Sequence, residues 1–177
     1  FPVSPAALSL DDLQRHSSLV ARIASGLDPR AAWKEDAFTA GILHDVGKLV
    51  IASRLPDLWR DIQTTAKRTG RREHEVELEK LGADHGALGA CLLGMWGLPS
   101  SVLEAVHRHH AVSLDGDLQL EPTLAVALAD ELAHELSREG DRPATAADPA
   151  VVSHADPRWP WWREMADQLA HESSAAA

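Results

Sequence analysis

The fold and the chemistry of this chain can be predicted from one stretch, Gly41-Ile42-Leu43-His44-Asp45-Val46-Gly47-Lys48. In it an imidazole and a carboxylate are adjacent, so both can bind one metal ion from a single backbone turn. Apolar residues at helical spacing precede the pair, and the flanking glycines indicate close packing or a turn of the backbone. The stretch therefore predicts a helix, from about Pro29 to His44, that ends at a metal-binding pair.

Other residues of types that bind metals recur along the chain at positions that helices could bring together. They are His16 before the pair, and His85, His109, His110 and Asp130 after it. Imidazole and carboxylate donors of this mix suit a divalent transition metal such as Fe, Mn, Zn or Ni, and their number suffices for two ions. Paired ions of this kind activate water for attack on phosphate esters.

Each candidate ligand also has an ordinary structural explanation. His16 alone is best explained as a satisfied or exposed histidine, and His85 as a first-turn residue that bonds to its neighbours. The pair His109-His110 would complement the dipole at a helix C-terminus. Asp130 lies in an apolar helix, where an unpaired buried carboxylate is costly unless the helix turns it towards solvent. The metal hypothesis therefore depends on the whole set, and it leaves five histidines aside: His74, His107, His134, His154 and His171.

Composition limits the classes of function that the chain can have. Its 177 residues fit one domain, and a net charge of −10 excludes a nucleic-acid groove, which needs a basic face. The charge does not exclude a small anionic ligand, because bound cations reverse the local field. No apolar run approaches the length of a membrane span. The single cysteine, Cys91, excludes an intrachain disulfide, is expected in the core and favours a reducing cytoplasm.

Hydrophobic spacing predicts an all-α fold, a compact bundle of about seven or eight helices with no convincing strand. Asp84 would cap the fifth helix, and Phe38 and Ile42 are expected to face inward. The charged helix over 71–81 is expected at the surface, and residues 49–52 could add a further helical turn. The predicted helices span about residues 11–27, 29–44, 56–70, 71–81, 85–96, 100–110, 123–137 and 159–170.

Shifts in composition divide the chain into three parts. Residues 1–139 form the predicted helical domain, residues 140–158 a polar linker, and residues 159–177 a last helix with a tail that frays from His171. The last helix is expected to pack on the same domain through its tryptophans. Because the chain begins at Phe1 without an initiator Met, it is expected to be a piece of a longer protein.

Taken together, these features resemble the HD superfamily of metal-dependent phosphohydrolases. Within it the chain is most similar to the HDOD signalling domains and to the related HD-GYP cyclic-dinucleotide phosphodiesterases. The resemblance covers roughly residues 10–135, and it is carried by His16, Phe38–Lys48, Leu81–Ala90, Trp96–Pro99 running to His109-His110, and Asp130. It implies the helical bundle of the HD type as the fold.

The resemblance also implies a role for each candidate residue. One set would hold a first metal ion: His16, His44, Asp45 and Asp130. A second set would complete a second site: His85, His109 and His110. Asp45 would bridge the two ions, and Lys48 would face a substrate phosphate, for which an ammonium is a good point-charge partner. Asp45 and Lys48 are therefore the predicted catalytic residues, and two divalent transition metal ions are the predicted cofactors.

The chain departs from these relatives after the His-His pair. HD-GYP enzymes carry a Gly-Tyr-Pro motif there, whereas this chain has Ala111-Val112-Ser113-Leu114-Asp115-Gly116-Asp117 and no Tyr at any position. HDOD domains also lack that motif, and they usually carry a helical N-terminal half before the position of Phe1. The chain therefore resembles the C-terminal, HD-like half of an HDOD domain.

Three hypotheses for the function follow. The first, favoured by the retained ligands, is a metal-dependent phosphohydrolase or phosphodiesterase. The second, favoured by the missing Gly-Tyr-Pro loop, is a signalling module that binds a small phosphorylated or nucleotide ligand, or a neighbouring signalling domain, without turnover. The third, ranked last, is a helical bundle with incidental histidines and no metal. The balance slightly favours a chemically competent metal site in a protein whose role is signalling.

Overall fold

The computed structural model describes residues 8–112, 119–138 and 156–175 of the chain. Within these ranges the chain forms helices and no strand, which confirms the all-α prediction. Most of the predicted linker at 140–158 lies outside the described residues, and no described helix is long and apolar enough to cross a bilayer. The helices are α1 Leu10–Gly26, α2 Lys34–Leu43, α3 Val46–Arg54, α4 Pro56–Thr69, α5 Glu73–Leu81, α6 His85–Met95, α7 Ser100–Arg108, α8 Pro122–Arg138 and α9 Trp159–Ala175.

A corner between two helices is formed at the His-Asp pair. α2 ends one residue before His44, and α3 begins one residue after Asp45. The further helical turn predicted at 49–52 is therefore part of a full helix, which brings the number of helices in the described ranges to nine. The corner projects both side chains into the space between the two helices and the rest of the bundle.

Short polar side chains determine where several helices start. α2 begins at Lys34 rather than near Pro29, because the Asp28 carboxylate accepts a hydrogen bond from the Arg30 amide at 3.1 Å and holds that segment in a turn. Asp84 caps α6 as predicted, since its Oδ1 accepts a hydrogen bond from the Ala87 amide at 2.8 Å.

The main core lies between α1 and α8, with α2, α7 and α9 packed around them. Every residue from Thr123 to Ala133 except Glu131 is buried in α8. That range includes Asp130, whose carboxylate must therefore be satisfied inside the protein. A smaller core lies under α3, α4 and α5 around Trp59 and Ile62.

Small residues, not large ones, form the inner face of α2. Phe38 and Ile42 are 40% and 38% exposed, so the prediction that they face inward is wrong. The reason is the close approach of α1, because a Cβ on Gly41 would lie only 2.6 Å from the Ala21 Cα. Cys91 is exposed as well, contrary to expectation, since α6 likewise turns small residues, Gly86 and Gly89, inward.

α9 packs on α1 and α8 through two of its tryptophans. Trp162 is fully buried and its Nε1 donates a hydrogen bond to the Leu27 carbonyl oxygen at 3.3 Å, while Trp159 is 5% exposed. Trp161 is 48% exposed on the opposite face. The helix continues to Ala175, so the expected fraying from His171 is not observed.

Candidate metal site

Five segments of the bundle bring the seven predicted ligands together. α1 contributes His16, the corner between α2 and α3 contributes His44 and Asp45, and α6 contributes His85. The end of α7 contributes His109 and His110, and α8 contributes Asp130. Helix packing thus achieves the convergence that the sequence spacing predicted. The role of these residues as metal ligands stays a prediction.

A first group of side chains surrounds the Asp130 carboxylate. The Nε2 atom of His16 lies 3.0 Å from Asp130 Oδ1, and that of His44 lies 3.7 Å from the same oxygen. His44 Nε2 is also 3.5 Å from Asp45 Oδ2. Ligand atoms of His16, His44 and Asp45 thus lie within 4.8 Å of one another, and Asp130 lies close to His16 and His44.

A second group lies deeper in the bundle. The Nε2 atoms of His85 and His110 are 2.9 Å apart, and the rings of His109 and His110 have their centroids 3.8 Å apart. Asp45 joins this group to the first, because its Oδ1 lies 3.1 Å from His85 Nε2 while its Oδ2 faces His44. This position between the groups is the one that a bridging carboxylate requires.

Two histidines are oriented by the helix ends on which they lie. His44 and His109 follow the last residues of α2 and α7, where carbonyl groups have no partner within the helix. Their Nδ1 atoms lie 2.8 Å from the Gly41 oxygen and 2.7 Å from the Val106 oxygen, so each Nδ1–H donates and each Nε2 keeps its lone pair.

Both of these Nε2 atoms are buried without a hydrogen-bond partner. Leaving buried polar atoms unsatisfied is costly, and native structures rarely do so without a reason. A divalent cation would satisfy both lone pairs, and the imidazole and carboxylate donors around them match the preferences of a transition metal. The residues present therefore fit the metal that the sequence predicted.

Glu77 is a functional candidate that sequence analysis missed. It is fully buried, and its Oε2 accepts hydrogen bonds from both the backbone amide and the Nδ1–H of His85, each at 2.7 Å. Helix α5 was expected at the surface, and within it Val76 and Glu77 are buried. No pattern in the charged run distinguishes Glu77 from its exposed neighbours, so only the structure could find it.

Two histidines left aside in the sequence analysis also lie at the site. His134 Nε2 is 3.3 Å from Asp130 Oδ1, one helical turn along α8, and this spacing could have been used to find it. The ring of His74 stacks on that of His110, with centroids 4.1 Å apart and planes 15° apart. His107 and His171 are exposed elsewhere, and His154 lies outside the described residues.

The electrostatics of the site favour a bound cation. Burial would raise the pKa of Asp45, but His44 and Lys48 hold it well below its usual range. Burial lowers the pKa of His109 to about 3, with neighbouring imidazoles adding to the effect. Although burial and Lys48 act to lower the pKa of His85, the carboxylates of Asp45 and Glu77 raise it to about 9. A metal would displace the proton of His85, so binding is coupled to pH.

An open groove of about 360 Å³ reaches the first group through His16 and Asp45. His16, Asp45, Lys48 and His134 are among the residues that line it, whereas His85 and His109 are 1% and 4% exposed. Lys48 Nζ donates a hydrogen bond to Asp45 Oδ2 at 2.8 Å. Burial alone would lower the pKa of Lys48, but the Asp45 carboxylate raises it above its ordinary value, so the ammonium stays charged.

A helical bundle with clustered histidines and carboxylates defines the class of protein, and a comparison with family models identifies the family. The model of the HDOD domain matches residues 3–112. This match covers more than half of the chain, so the chain belongs to the HDOD domain family. α8, which carries Asp130, lies beyond the matched residues.

Three solved structures share the fold. The chain matches a protein from Shewanella amazonensis SB2B, named "Putative phosphohydrolase", with a TM-score of 0.68 and 22% identity over 99% of this chain and 62% of the other. A "Putative signal transduction protein" from Marinobacter aquaeolei VT8 matches with a TM-score of 0.69 and 22% identity, over 92% of this chain and 37% of the other. An HDOD domain protein with unknown function from Geobacter sulfurreducens matches with a TM-score of 0.62 and 23% identity, over 93% of this chain and 58% of the other. At these identities the likeness shows the fold alone.

A curated relative adds little about activity. An uncharacterized protein from Treponema pallidum (strain Nichols) is 25% identical over 75 residues, which are 42% of this chain and 15% of that protein. The chain therefore spans between 15% and 62% of the length of the relatives that it matches.

Proposed function

We propose that this chain is a signalling domain whose bundle binds two divalent transition metal ions and is chemically competent to hydrolyse a phosphoester or phosphodiester. The observation that carries the proposal is the pair of buried, unpartnered lone pairs on His44 and His109, which face the carboxylates of Asp45 and Asp130. In the described part of the chain, three of the four candidate ligand groups contain His44 or His109, and the fourth shares His16 and Asp130 with them. Incidental histidines would not need to share their neighbours in this way.

The chain's own residues would bind and orient an anionic ligand. Lys48 remains charged in the groove and would attract a phosphate as a point charge. Asp45 holds the ammonium in place and would link the two groups of ligands. Bound divalent ions would supply Lewis acidity and activated water. A small phosphorylated or nucleotide ligand suits the volume of the groove, and the bound ions would offset the carboxylates of Asp12, Asp45 and Glu73 that line it.

Ligand binding without turnover is the second candidate function. It is favoured by the burial of His85 and His109, because metal sites closed to solvent are typical of structural rather than catalytic ions. On this hypothesis the ions hold the bundle together, and the groove binds a ligand or a neighbouring signalling domain. The expected cytoplasmic location belongs to either hypothesis and stays a prediction.

The test is elemental analysis of the purified protein, followed by a turnover assay with bis-p-nitrophenyl phosphate. We expect about two ions per chain for the wild type and fewer than one for Asp45→Ala, because that variant loses the carboxylate between both groups. Asp167→Ala, on the exposed face of α9, serves as the control and should retain both ions.

The outcomes separate the hypotheses. Turnover by the metal-loaded wild type that is lost in Asp45→Ala supports hydrolysis. Two bound ions with no turnover in any variant support the signalling module without catalysis. A wild type that holds no metal, even after soaking in Mn²⁺ or Fe²⁺, would contradict the metal proposal.

A further inference from the structure

One oxygen of Asp130 is surrounded by three imidazole nitrogens. The Nε2 atoms of His16, His134 and His44 lie 3.0, 3.3 and 3.7 Å from Asp130 Oδ1. The nitrogen of His44 cannot donate a hydrogen bond to this oxygen, because its ring proton is engaged on Nδ1. It is fully buried and has no other partner. The lone pair of His44 Nε2 thus faces an anionic oxygen, which is unfavourable unless a cation lies between the two atoms.

His134 is the member of this arrangement that faces the groove. It lies four residues after Asp130, so both side chains project from one face of α8. Its ring centroid is 4.8 Å from that of His16, and the ligand atoms of His16, Asp130 and His134 lie within 4.8 Å of one another. The His134 side chain is 43% exposed and lines the groove.

We propose that His134 is a further ligand of the ion bound by His16, His44, Asp45 and Asp130, and that it binds this ion from the groove side. The inference rests on the proposed metal site and adds a donor that neither the sequence motif nor the family resemblance includes. A donor at this position occupies the side of the ion from which a ligand in the groove would approach. His134 therefore competes with water or phosphate for the ion.

The alternative role for His134 is an ordinary hydrogen bond to Asp130 along the helix. A pair one helical turn apart can form such a bond without any metal. The two roles differ in one measurable property, which is the effect of His134 on metal affinity. α9 provides a matched control, because His171 Nδ1 lies 3.6 Å from Asp167 Oδ1 at the same spacing, and neither residue is in a candidate ligand group.

The experiment is a calorimetric titration of the metal-free protein with Mn²⁺, using wild type, His134→Ala, His134→Gln and His171→Ala. We expect both His134 variants to bind one of the two ions at least tenfold more weakly, and His171→Ala to match the wild type. The glutamine variant keeps a hydrogen-bond donor for Asp130 but is a poor ligand for a transition metal. Free imidazole should restore much of the affinity of His134→Ala.

The outcomes distinguish this inference from the proposed function. Wild-type affinity in both His134 variants overturns the inference and leaves the metal site in place. Affinity lost in His134→Ala but kept in His134→Gln also overturns it, because the hydrogen bond alone would then suffice. A wild type that binds no Mn²⁺ overturns the inference and the metal site together.

Discussion

The orientation of single imidazole rings determines what this site can bind. His44 and His109 donate from Nδ1 to free carbonyl groups at helix ends, which leaves each Nε2 as a lone pair directed into the bundle. His85 is oriented in the same way, but by the carboxylate of Glu77 instead of a carbonyl. A histidine whose second nitrogen is fixed by a carboxylate is a stronger metal ligand, because the carboxylate raises its basicity.

Replacement of Glu77 by Gln should weaken metal binding while preserving the fold. The amide oxygen of Gln can still accept from His85, but it lacks the negative charge that raises the basicity of the ring. We expect a loss of about 10–100-fold in metal affinity, measured by titration with Mn²⁺. Glu75→Gln, an exposed change in the same helix, is the control. Equal affinities in the two variants would contradict the role of Glu77.

Acid should destabilise the metal-free protein through its buried histidines. The pKa of His109 is about 3 in the folded state, well below the ordinary value of 6.5, so the unfolded chain binds this proton more readily. The stability that His109 contributes is present above pH 6.5 and is lost as the pH falls, by about 1.4 kcal/mol per pH unit. The raised pKa of His85 does not oppose this loss, since its contribution is already complete below pH 6.5.

Urea unfolding in the presence of a chelator at pH 7, 6 and 5 would measure this effect. The free energy of unfolding should fall between pH 6 and pH 5, and the fall should be smaller in His109→Gln, which has no proton to exclude. An identical pH dependence in the two proteins would show that His109 is protonated in the folded state.

At the scale of residues, the candidate ligands were predictable, but the side chains that contact and orient them were not. His16, His44, Asp45, His85, His109, His110 and Asp130 all converge in the structure as their motif implied. Glu77 was not predictable, because its burial depends on how α5 lies on the bundle and not on its own charged sequence. His134 lies four residues after Asp130, and this spacing places both on one face of a helix. With ten histidines in the chain, the spacing alone did not single it out.

At the scale of elements, glycines allow the helices at the site to approach closely. A Cβ on Gly47 would lie 2.0 Å from the backbone oxygen of His85, so α3 and α6 touch at this position. The contact fixes the distance between Asp45, at the start of α3, and His85, at the start of α6. The glycine after the His-Asp pair is therefore part of the site as well as of the fold.

Gly47→Ala should destabilise the protein and weaken the site together. The backbone of His85 cannot move away as a flexible side chain would, so we expect a loss of about 2–3 kcal/mol in the free energy of unfolding. Gly94→Ala is the matched control, because its Cβ would meet only Leu103 Cδ1 at 3.7 Å. That change should be neutral or stabilise α6 by about 0.5–1 kcal/mol. Urea unfolding of both variants measures the difference between their free energies of unfolding. The two values would be similar if α3 and α6 were free to separate.

Helix positions followed from the sequence more closely than helix faces did. Caps such as Asp84 are local, so they predict where a helix starts. The inward face of α2 is instead decided by the partner helix, whose close approach at Gly41 leaves room only for small residues. Apolar spacing alone therefore assigned Phe38 and Ile42 to the wrong side.

At the scale of the whole molecule, α9 completes the main core. Trp162 is fully buried against α1 and hydrogen-bonded to Leu27, although most of the chain between α8 and α9 lies outside the described residues. Arg22 of α1 pairs with Glu172 of α9 at 2.5 Å, which adds a polar contact between the same two helices. The last helix is thus packed on the bundle.

Trp162→Ala should cost about 3–5 kcal/mol in the free energy of unfolding, because it leaves a large cavity and an unpaired carbonyl. Trp161→Ala, one residue earlier and 48% exposed, should cost less than about 1 kcal/mol. Chemical denaturation of the two variants measures the difference. Similar values for both would mean that α9 contributes nothing to the stability of the core.

The contact between His16 and Asp130 joins residues that are 114 positions apart in the sequence. Closing the loop between them costs conformational entropy, which the packing of α8 on α1 must offset. During synthesis the first site cannot exist until α8 has left the ribosome, and a fragment limited to residues 3–112 would lack Asp130 altogether. The first proposed site would therefore depend on α8, whereas His85, His109 and His110 of the second all lie within residues 3–112.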